Sequence, residues 1–258
     1  MRISIVMTYF NRKYQLEKTL FSLMESEHKD FSIVIVDDAS DIPLAINGSY
    51  GFPIEVINIT KEEKQWTNPE PAYNKGIIKA LESKPDIIFL QNAECYHTKD
   101  VLKYANDNLT ELNYLSFGCF SLDEKTTFSE FDINEIMGIN NCGAIIDGEN
   151  AWYNHSIHRP VAYDFCSAIT ANNLRRLNGY DERFSNGVAY GDNYLLNRIK
   201  MLGLDVRIID FPFVVHQWHY TNPSHPNQAG LLERNSNLLI ELTQLNNYKA
   251  DHLFTPDL

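Results

Sequence analysis

Short unbroken apolar runs alternate with helical stripes along the first half of the chain. Ile87-Ile88-Phe89-Leu90 contains no polar residue and follows the turn signal Lys84-Pro85-Asp86. A run of this kind fits a strand covered on both faces by helices. It stops at the polar cluster Gln91-Asn92-Ala93-Glu94. Ile3-Ser4-Ile5-Val6-Met7 reads as an earlier strand that ends in Thr8-Tyr9-Phe10-Asn11, and Phe31 to Val36 as another that ends in Asp37-Asp38-Ala39-Ser40. Between them Leu16, Leu20, Leu23 and Met24 recur at i, i+4, i+7 and i+8, one face of a helix. Strand, helix and strand in that order make a βαβ unit with a right-handed crossover.

Ile54 to Ile59 reads as a third strand, Lys61 to Glu70 as a polar loop and Ala72 to Glu82 as a helix with Ile77, Ile78 and Leu81 on its apolar face. Thr98 is placed to cap a helix running to Leu109, and Tyr114 to Leu122 reads as a strand. The second half is less regular. Phe128 to Ile139 is acidic and loop-like, Cys142 to Ile146 strand-like, and Ala151 to His155 a loop whose aromatics either meet a sugar ring or anchor the backbone. Asn172 to Leu177 is a short helix closed by Gly179 as its C-cap. Leu195, Leu196, Ile199 and Leu202 mark another, with Asp192 at its start. Asp205 to Ile209 and Phe213 to Val215 read as strands, Trp218 to Gln228 as a polar loop, and Leu231 to Leu245 as a closing helix.

This order predicts an α/β fold, with a mixed, mostly parallel sheet flanked by helices on both faces. Ligands of open α/β sheets bind beyond the carboxyl ends of the strands. Three such ends deliver polar groups here: Thr8–Asn11, Asp37–Asp38 and Asn92–Glu94. Asn92 and Glu94 offer two oxygen-bearing side chains one residue apart, enough to hold a hard cation such as Mg²⁺ or Mn²⁺; the plainer reading is a polar strand end. Asp192 is either a functional carboxylate or simply a helix cap.

Composition narrows the field. The chain has 258 residues, 44% hydrophobic and 22% charged, an ordinary balance for a globular protein. Its net charge of -12 argues against a nucleic-acid partner but not against a nucleotide, whose diphosphate a metal can screen. No apolar run is long enough to span a bilayer, and residues 1–7 lack a signal-peptide core, so a cytoplasmic location is expected. Cys95, Cys119, Cys142 and Cys166 match no zinc spacing and read as reduced core thiols. There is neither a G-x-G-x-x-G fingerprint nor a Walker loop, so a phosphate must be held without a glycine cradle.

Taken in order, these segments resemble the family-2 glycosyltransferases, inverting enzymes of the GT-A fold. The likeness runs from Ile3 to His219 as a single domain, with residues 1–115 as the nucleotide-sugar half and 116–258 as the acceptor-binding and catalytic half. Ile5-Val6-Met7-Thr8-Tyr9-Phe10-Asn11-Arg12 resembles the family's first strand and nucleotide loop, and Val36-Asp37-Asp38-Ala39-Ser40 its Asp-Asp-x-Ser element. Ala72-Tyr73-Asn74-Lys75-Gly76-Ile77 resembles its donor-side helix start. Tyr180 to Phe184, then Gly191-Asp192 with Arg198, resembles the segment carrying its catalytic base. The resemblance implies a nucleotide-sugar donor, by default a UDP-sugar, and a hydroxyl acceptor on a glycan or other molecule. It implies donor contacts from Thr8, Tyr9, Asn11, Asp37, Asp38, Asn74 and Asn92, with Asp38 on the base, and Asp192 as general base. Mn²⁺ or Mg²⁺ would be held by Glu94 and a late histidine, His216 before His219.

Two departures stand out. The family's Asp-x-Asp metal motif reads Asn92-Ala93-Glu94, and the acidic residue that usually precedes the base is Gly191. The rival readings are a GT-A-like module that binds a nucleotide sugar or glycan without catalysis, and a sugar-phosphate nucleotidyltransferase. The latter needs a glycine-rich loop that Thr8–Arg12 lacks.

Overall fold

The computed structural model describes residues 1–130, 132–140, 150–220 and 226–258, with backbone alone at 137, 139 and 140. The strand expected at Cys142–Ile146, the thiol of Cys142 and part of the Trp218–Gln228 loop lie outside the described residues. β1 (Ile3–Tyr9), α1 (Lys13–Met24) and β2 (Phe31–Asp38) form the expected βαβ unit, followed by β3 (Ile54–Ile59), α2 (Glu70–Glu82) and β4 (Ile87–Asn92). These four strands are parallel in the order β3-β2-β1-β4. Next come β5 (Cys95–His97), α3 (Val101–Asn108), β6 (Asn113–Ser121), α4 (Glu124–Thr127), α5 (Ile133–Asn140), β7 (Trp152–Asn154) and β8 (Cys166–Thr170). α6 (Ala171–Leu177), a 3₁₀ turn (Glu182–Phe184), α7 (Gly191–Met201), β9 (Asp205–His216) and α8 (Gln228–Gln244) complete the chain.

One sheet runs β3-β2-β1-β4-β8-β6-β9-β5, with β7 beside β6. β8, β5 and β7 are antiparallel to their neighbours, and β9 is parallel to β6. Alternate residues of β1 feed two cores, because successive strand side chains point to opposite faces. Ile3, Ile5 and Met7 pack with Leu16, Leu20 and Leu23 of α1 and with α3; Val6 packs with Ile77 and Ala80 of α2, Leu174 of α6 and Leu195 of α7. Gly76 lets α2 lie close on the sheet, since a Cβ there would stand 2.6 Å from Val6 Cγ1.

Several expectations are corrected. The 128–139 segment is not all loop: α5 forms with Glu135 in its first turn, where the helix dipole favours an acid, and Ile136 packs with Phe120 and Trp152. Thr98 does not cap α3; its hydroxyl donates to Phe213 O, and Asp100 caps by accepting from Lys103 N. Trp152 belongs to β7 and is wholly buried against Phe120 and Phe213, so it presents no face to a sugar. The strands expected at 205–209 and 213–215 are one, β9, with a register shift opposite Phe117 and Cys119. α6 ends with Asn178 itself at φ 59° as the C-cap, and Gly179 follows at φ 66°. Cys95, Cys119 and Cys166 are buried free thiols, as expected.

Candidate active site

The parallel register sets Thr8 beside Asn92 and Tyr9 beside Asp37, so β1, β2 and β4 end together. A cleft of about 380 Å³ opens beyond these ends, next to β1, where strand order turns to either side. Thr8, Tyr9, Asp38, Asn92, Glu94 and Asp192 all line it. Asn11, Asp37 and Asn74 do not. Asp37 is fully engaged in its own loop, accepting from Ser40 N at 3.0 Å and Leu44 N at 2.7 Å. Asn11 is exposed and exchanges hydrogen bonds with Asp41. Asn74 is wholly buried and ties α2 to the later half, donating to Tyr180 O and Glu182 Oε1 and accepting from Tyr180 N. These three shape the site rather than face it.

Asp38 points into the cleft and accepts from Lys64 Nζ at 2.6 Å and Trp66 Nε1 at 2.9 Å. Asn92 Oδ1 accepts from the Tyr73 hydroxyl at 3.1 Å.

Glu94 sits in the turn from β4 to β5, and β5 pairs Cys95 with His216 at the end of β9. That pairing brings a histidine from residue 216 beside a carboxylate from residue 94. His216 Nε2 lies 3.1 Å and His219 Nε2 3.4 Å from Glu94 Oε1, and Arg12 Nη1 donates to the same oxygen at 2.6 Å. Burial alone would raise the Glu94 carboxyl, yet the Arg12 guanidinium and the two imidazoles hold it well below the usual range. The ligand atoms of Glu94, His216 and His219 all lie within 4.8 Å of one another. Both histidines therefore stand within reach of one ion together with Glu94, where the sequence put His216 before His219. Glu94 Oε2 is buried without a hydrogen-bond partner among the described residues. A buried carboxylate with one oxygen unpartnered and two imidazoles against the other suits a divalent cation. The Arg12 guanidinium contends for the other oxygen.

A second carboxyl cluster forms where the first turns of α2 and α7 meet. Thr67 N and Asn68 N both donate to Ser185 O, and Asn68 brackets Ala189 with two hydrogen bonds. Glu70, Asp164 and Asp192 line the cleft here. Asp192 does not cap α7: the cap position is Tyr190, which makes no side-chain cap bond, and Asp192 Oδ1 accepts from the adjacent Asn193 N. Its carboxyl is raised by burial. Burial, with Asp192 nearby, pushes Asp164 up to about 6, against a hydrogen bond from the Tyr180 hydroxyl. Glu70 is pushed up to about 8, chiefly by burial, with Asp192 and Asp164 adding to it. Among the described residues, the main influences that shift these three are burial and neighbouring carboxylates, not cations.

Sequence reasoning missed Arg12, Lys64, Glu70 and Asp164. Glu70 had a signal, since Pro69-Glu70-Pro71 marks a helix start. Asp164 had none, being a lone acid in an irregular stretch.

A family model described as "Glycosyl transferase family 2" matches residues 4–167. An uncharacterized glycosyltransferase of Haemophilus influenzae is 32% identical over 95 residues, 36% of this chain and 30% of that protein. The chain thus matches under a third of that relative's length. Among solved structures, S. aureus TarS 1-349 superposes with a TM-score of 0.61 at 13% identity, covering 98% of this chain and 67% of that one. The same protein in complex with UDP gives 0.62 at 12% identity, with 98% and 68% coverage. Glucosyl-3-phosphoglycerate synthase from Mycobacterium tuberculosis, in complex with Mn²⁺, UDP and glucosyl-3-phosphoglycerate, gives 0.51 at 12% identity, with 97% and 81% coverage. At these identities the structures establish the fold, a GT-A-type mixed sheet.

Proposed function

The chain belongs to glycosyl transferase family 2, and from that premise we propose that it moves a sugar from a nucleoside diphosphate to an acceptor hydroxyl with inversion. The nucleotide is uridine diphosphate, a reading supported by the UDP and UDP-GlcNAc complexes of a protein sharing the fold. The acceptor is a glycan or another hydroxyl-bearing molecule. One observation carries the proposal. A single cleft holds a carboxylate kept ionised by a guanidinium and two imidazoles and, separately, three carboxyls raised chiefly by burial.

Each cluster suits one half of the reaction. Breaking the bond to the sugar builds negative charge on the diphosphate. Arg12, His216 and His219 bring positive or proton-donating groups to that neighbourhood. Glu94, His216 and His219, with Asn92 near the same strand end, would hold a divalent cation whose chemistry is to offset that charge. A mixed carboxylate and imidazole set suits Mn²⁺ better than Mg²⁺, which keeps to oxygen ligands. The Mn²⁺ complex of the mycobacterial synthase supports this choice. Thr8, Tyr9 and Asp38 border the donor, with Asp38 toward the base, and Lys64 and Trp66 fix its carboxylate. An acceptor hydroxyl is a poor nucleophile until a base takes its proton. Asp192 does this; its raised carboxyl brings it closer to the strength a base needs near neutral pH. Residues 1–115 then supply most donor contacts and 116–258 the base and histidines.

The test is a panel of UDP-, TDP- and GDP-sugars, with release of nucleoside diphosphate followed in Mn²⁺ and in EDTA. Release from a UDP-sugar that rises with Mn²⁺ is expected. Tight binding of a nucleotide sugar with no turnover would leave a non-catalytic binding module.

A further inference from the structure

We propose that Glu70 is a specificity residue that reads a hydroxyl of the donor's sugar ring. The inference rests on the sugar-transfer reading above and adds a residue that no motif marked. Glu70 is 4% exposed and lines the cleft, and its Oε2 is buried with no hydrogen-bond partner among the described residues. An unpaired buried polar oxygen costs about 1–3 kcal/mol, so a fold keeps one chiefly where a ligand completes it.

The position of this carboxyl depends on a missing side chain. A Cβ at Gly191 would stand 2.0 Å from Glu70 Oε1 and 3.0 Å from its carboxyl carbon. The first residue of α7 is therefore bare, and the carboxyl group of α2 fills its place beside Asp192. In this chain the acid next to Asp192 in space comes from residue 70, not from residue 191. Asn68 Nδ2, 3.3 Å from Oε1, and the Asn68–Ala189 bonds hold the two helix starts together.

The donor is the partner that the local geometry favours. One turn along α2, the Tyr73 hydroxyl bonds Asn92, on the strand end that leads to Glu94. The first turn of α2 thus borders the wall where the diphosphate is expected. With its carboxyl pushed up to about 8, Glu70 carries its proton at neutral pH. A protonated carboxyl both donates and accepts, which matches a hydroxyl; an ionised one only accepts. Asp192 is then left to take the acceptor's proton.

The experiment is calorimetry of UDP and of the UDP-sugars that the wild type binds, on wild type, Glu70→Ala, Glu70→Gln and the double variant Glu70→Ala/Gly191→Glu. UDP affinity should hold within about twofold in all four, since the proposed contact is to the sugar ring and not to the nucleotide. The ratio of UDP-sugar to UDP affinity should fall about tenfold in Glu70→Ala, the scale of one hydrogen bond to a buried group. Glu70→Gln should keep most of that ratio, because an amide also donates and accepts. The double variant should recover part of it, with the carboxyl supplied from α7. A Glu70→Ala protein that weakens UDP and UDP-sugar equally, or changes neither, overturns the assignment. A wild type that binds UDP but no UDP-sugar overturns the donor reading itself, and this inference with it.

Discussion

Glu94 and Glu70 are glutamates of the same cleft, 2% and 4% exposed, and burial pushes both carboxyls upward. They nevertheless end on opposite sides of neutrality. Glu94 has Arg12, His216 and His219 within 3.4 Å of one oxygen and is held ionised. Glu70 has Asp192 and Asp164 as its charged neighbours and keeps its proton to about pH 8. Depth does not distinguish them; the sign of the neighbouring charge does. Environments that drive two carboxyl groups apart are how one site performs both charge-holding and proton-handling chemistry. In this protein the division follows topology. The ionised cluster gathers at strand ends, through the pairing of β5 with β9, and the cluster of raised carboxyls at the first turns of α2 and α7.

The contrast can be broken most forcefully at Asp192. Asp192→Asn removes the proposed proton acceptor and should slow transfer about 10²–10⁴-fold, read in steady-state assays. Glu94→Ala attacks the other cluster by stranding a guanidinium and two imidazoles. Removing one partner of a buried pair costs about 3–5 kcal/mol, and the 20% exposure of Arg12 places the loss nearer 3, measurable by urea unfolding. Mn²⁺ stimulation should vanish with it. Asp38 is an intermediate case, a carboxylate balanced by one lysine and one indole N–H. Asp38→Ala should weaken nucleotide binding by roughly 1.5–3 kcal/mol in calorimetry, as expected for a charge-assisted bond to the base.

The smallest effect is a pH dependence of stability, and its sign is set by Glu70. The folded protein holds a proton to about pH 8 that the unfolded chain releases near its ordinary value of 4.5. As pH rises between those values the unfolded state is favoured, and the loss levels off above 8. Glu70→Gln has no proton to lose. Its stability advantage over wild type should grow from pH 5 to pH 8 by on the order of 1–3 kcal/mol, followed by thermal melts in the absence of nucleotide. A constant advantage across that range would mean the carboxyl is ionised in the fold.

Much of this architecture is legible in the sequence because it is local. Ile87–Leu90 and Ile3–Met7 announce buried strands, and the polar residues after them announce the rim where ligands bind. Glu94 follows from position in that frame, and Asp38, His216 and Asp192 from the family resemblance; all but His216 line the cleft, and His216 contacts Glu94 just beside it. What escaped depends on contacts far apart in the chain. Arg12 meets Glu94 across 82 positions, and Glu70 occupies space left by a glycine 121 residues later. Asp37 and Asn74 carried the right residue types, but loop closure and helix anchoring consume their hydrogen bonds. Side-chain direction at a turn is a tertiary outcome, and a one-dimensional pattern does not contain it.

The division of labour between the two clusters is tested most directly by measuring transfer rate and nucleotide affinity on the same preparations of Asp192→Asn and Glu94→Gln. Asp192→Asn should bind UDP in the presence of Mn²⁺ as wild type does while transfer collapses. Glu94→Gln should lose Mn²⁺-dependent UDP affinity as well as rate. Wild-type transfer by Asp192→Asn, or an equal loss of affinity in both variants, would contradict the separation of charge-holding from proton transfer.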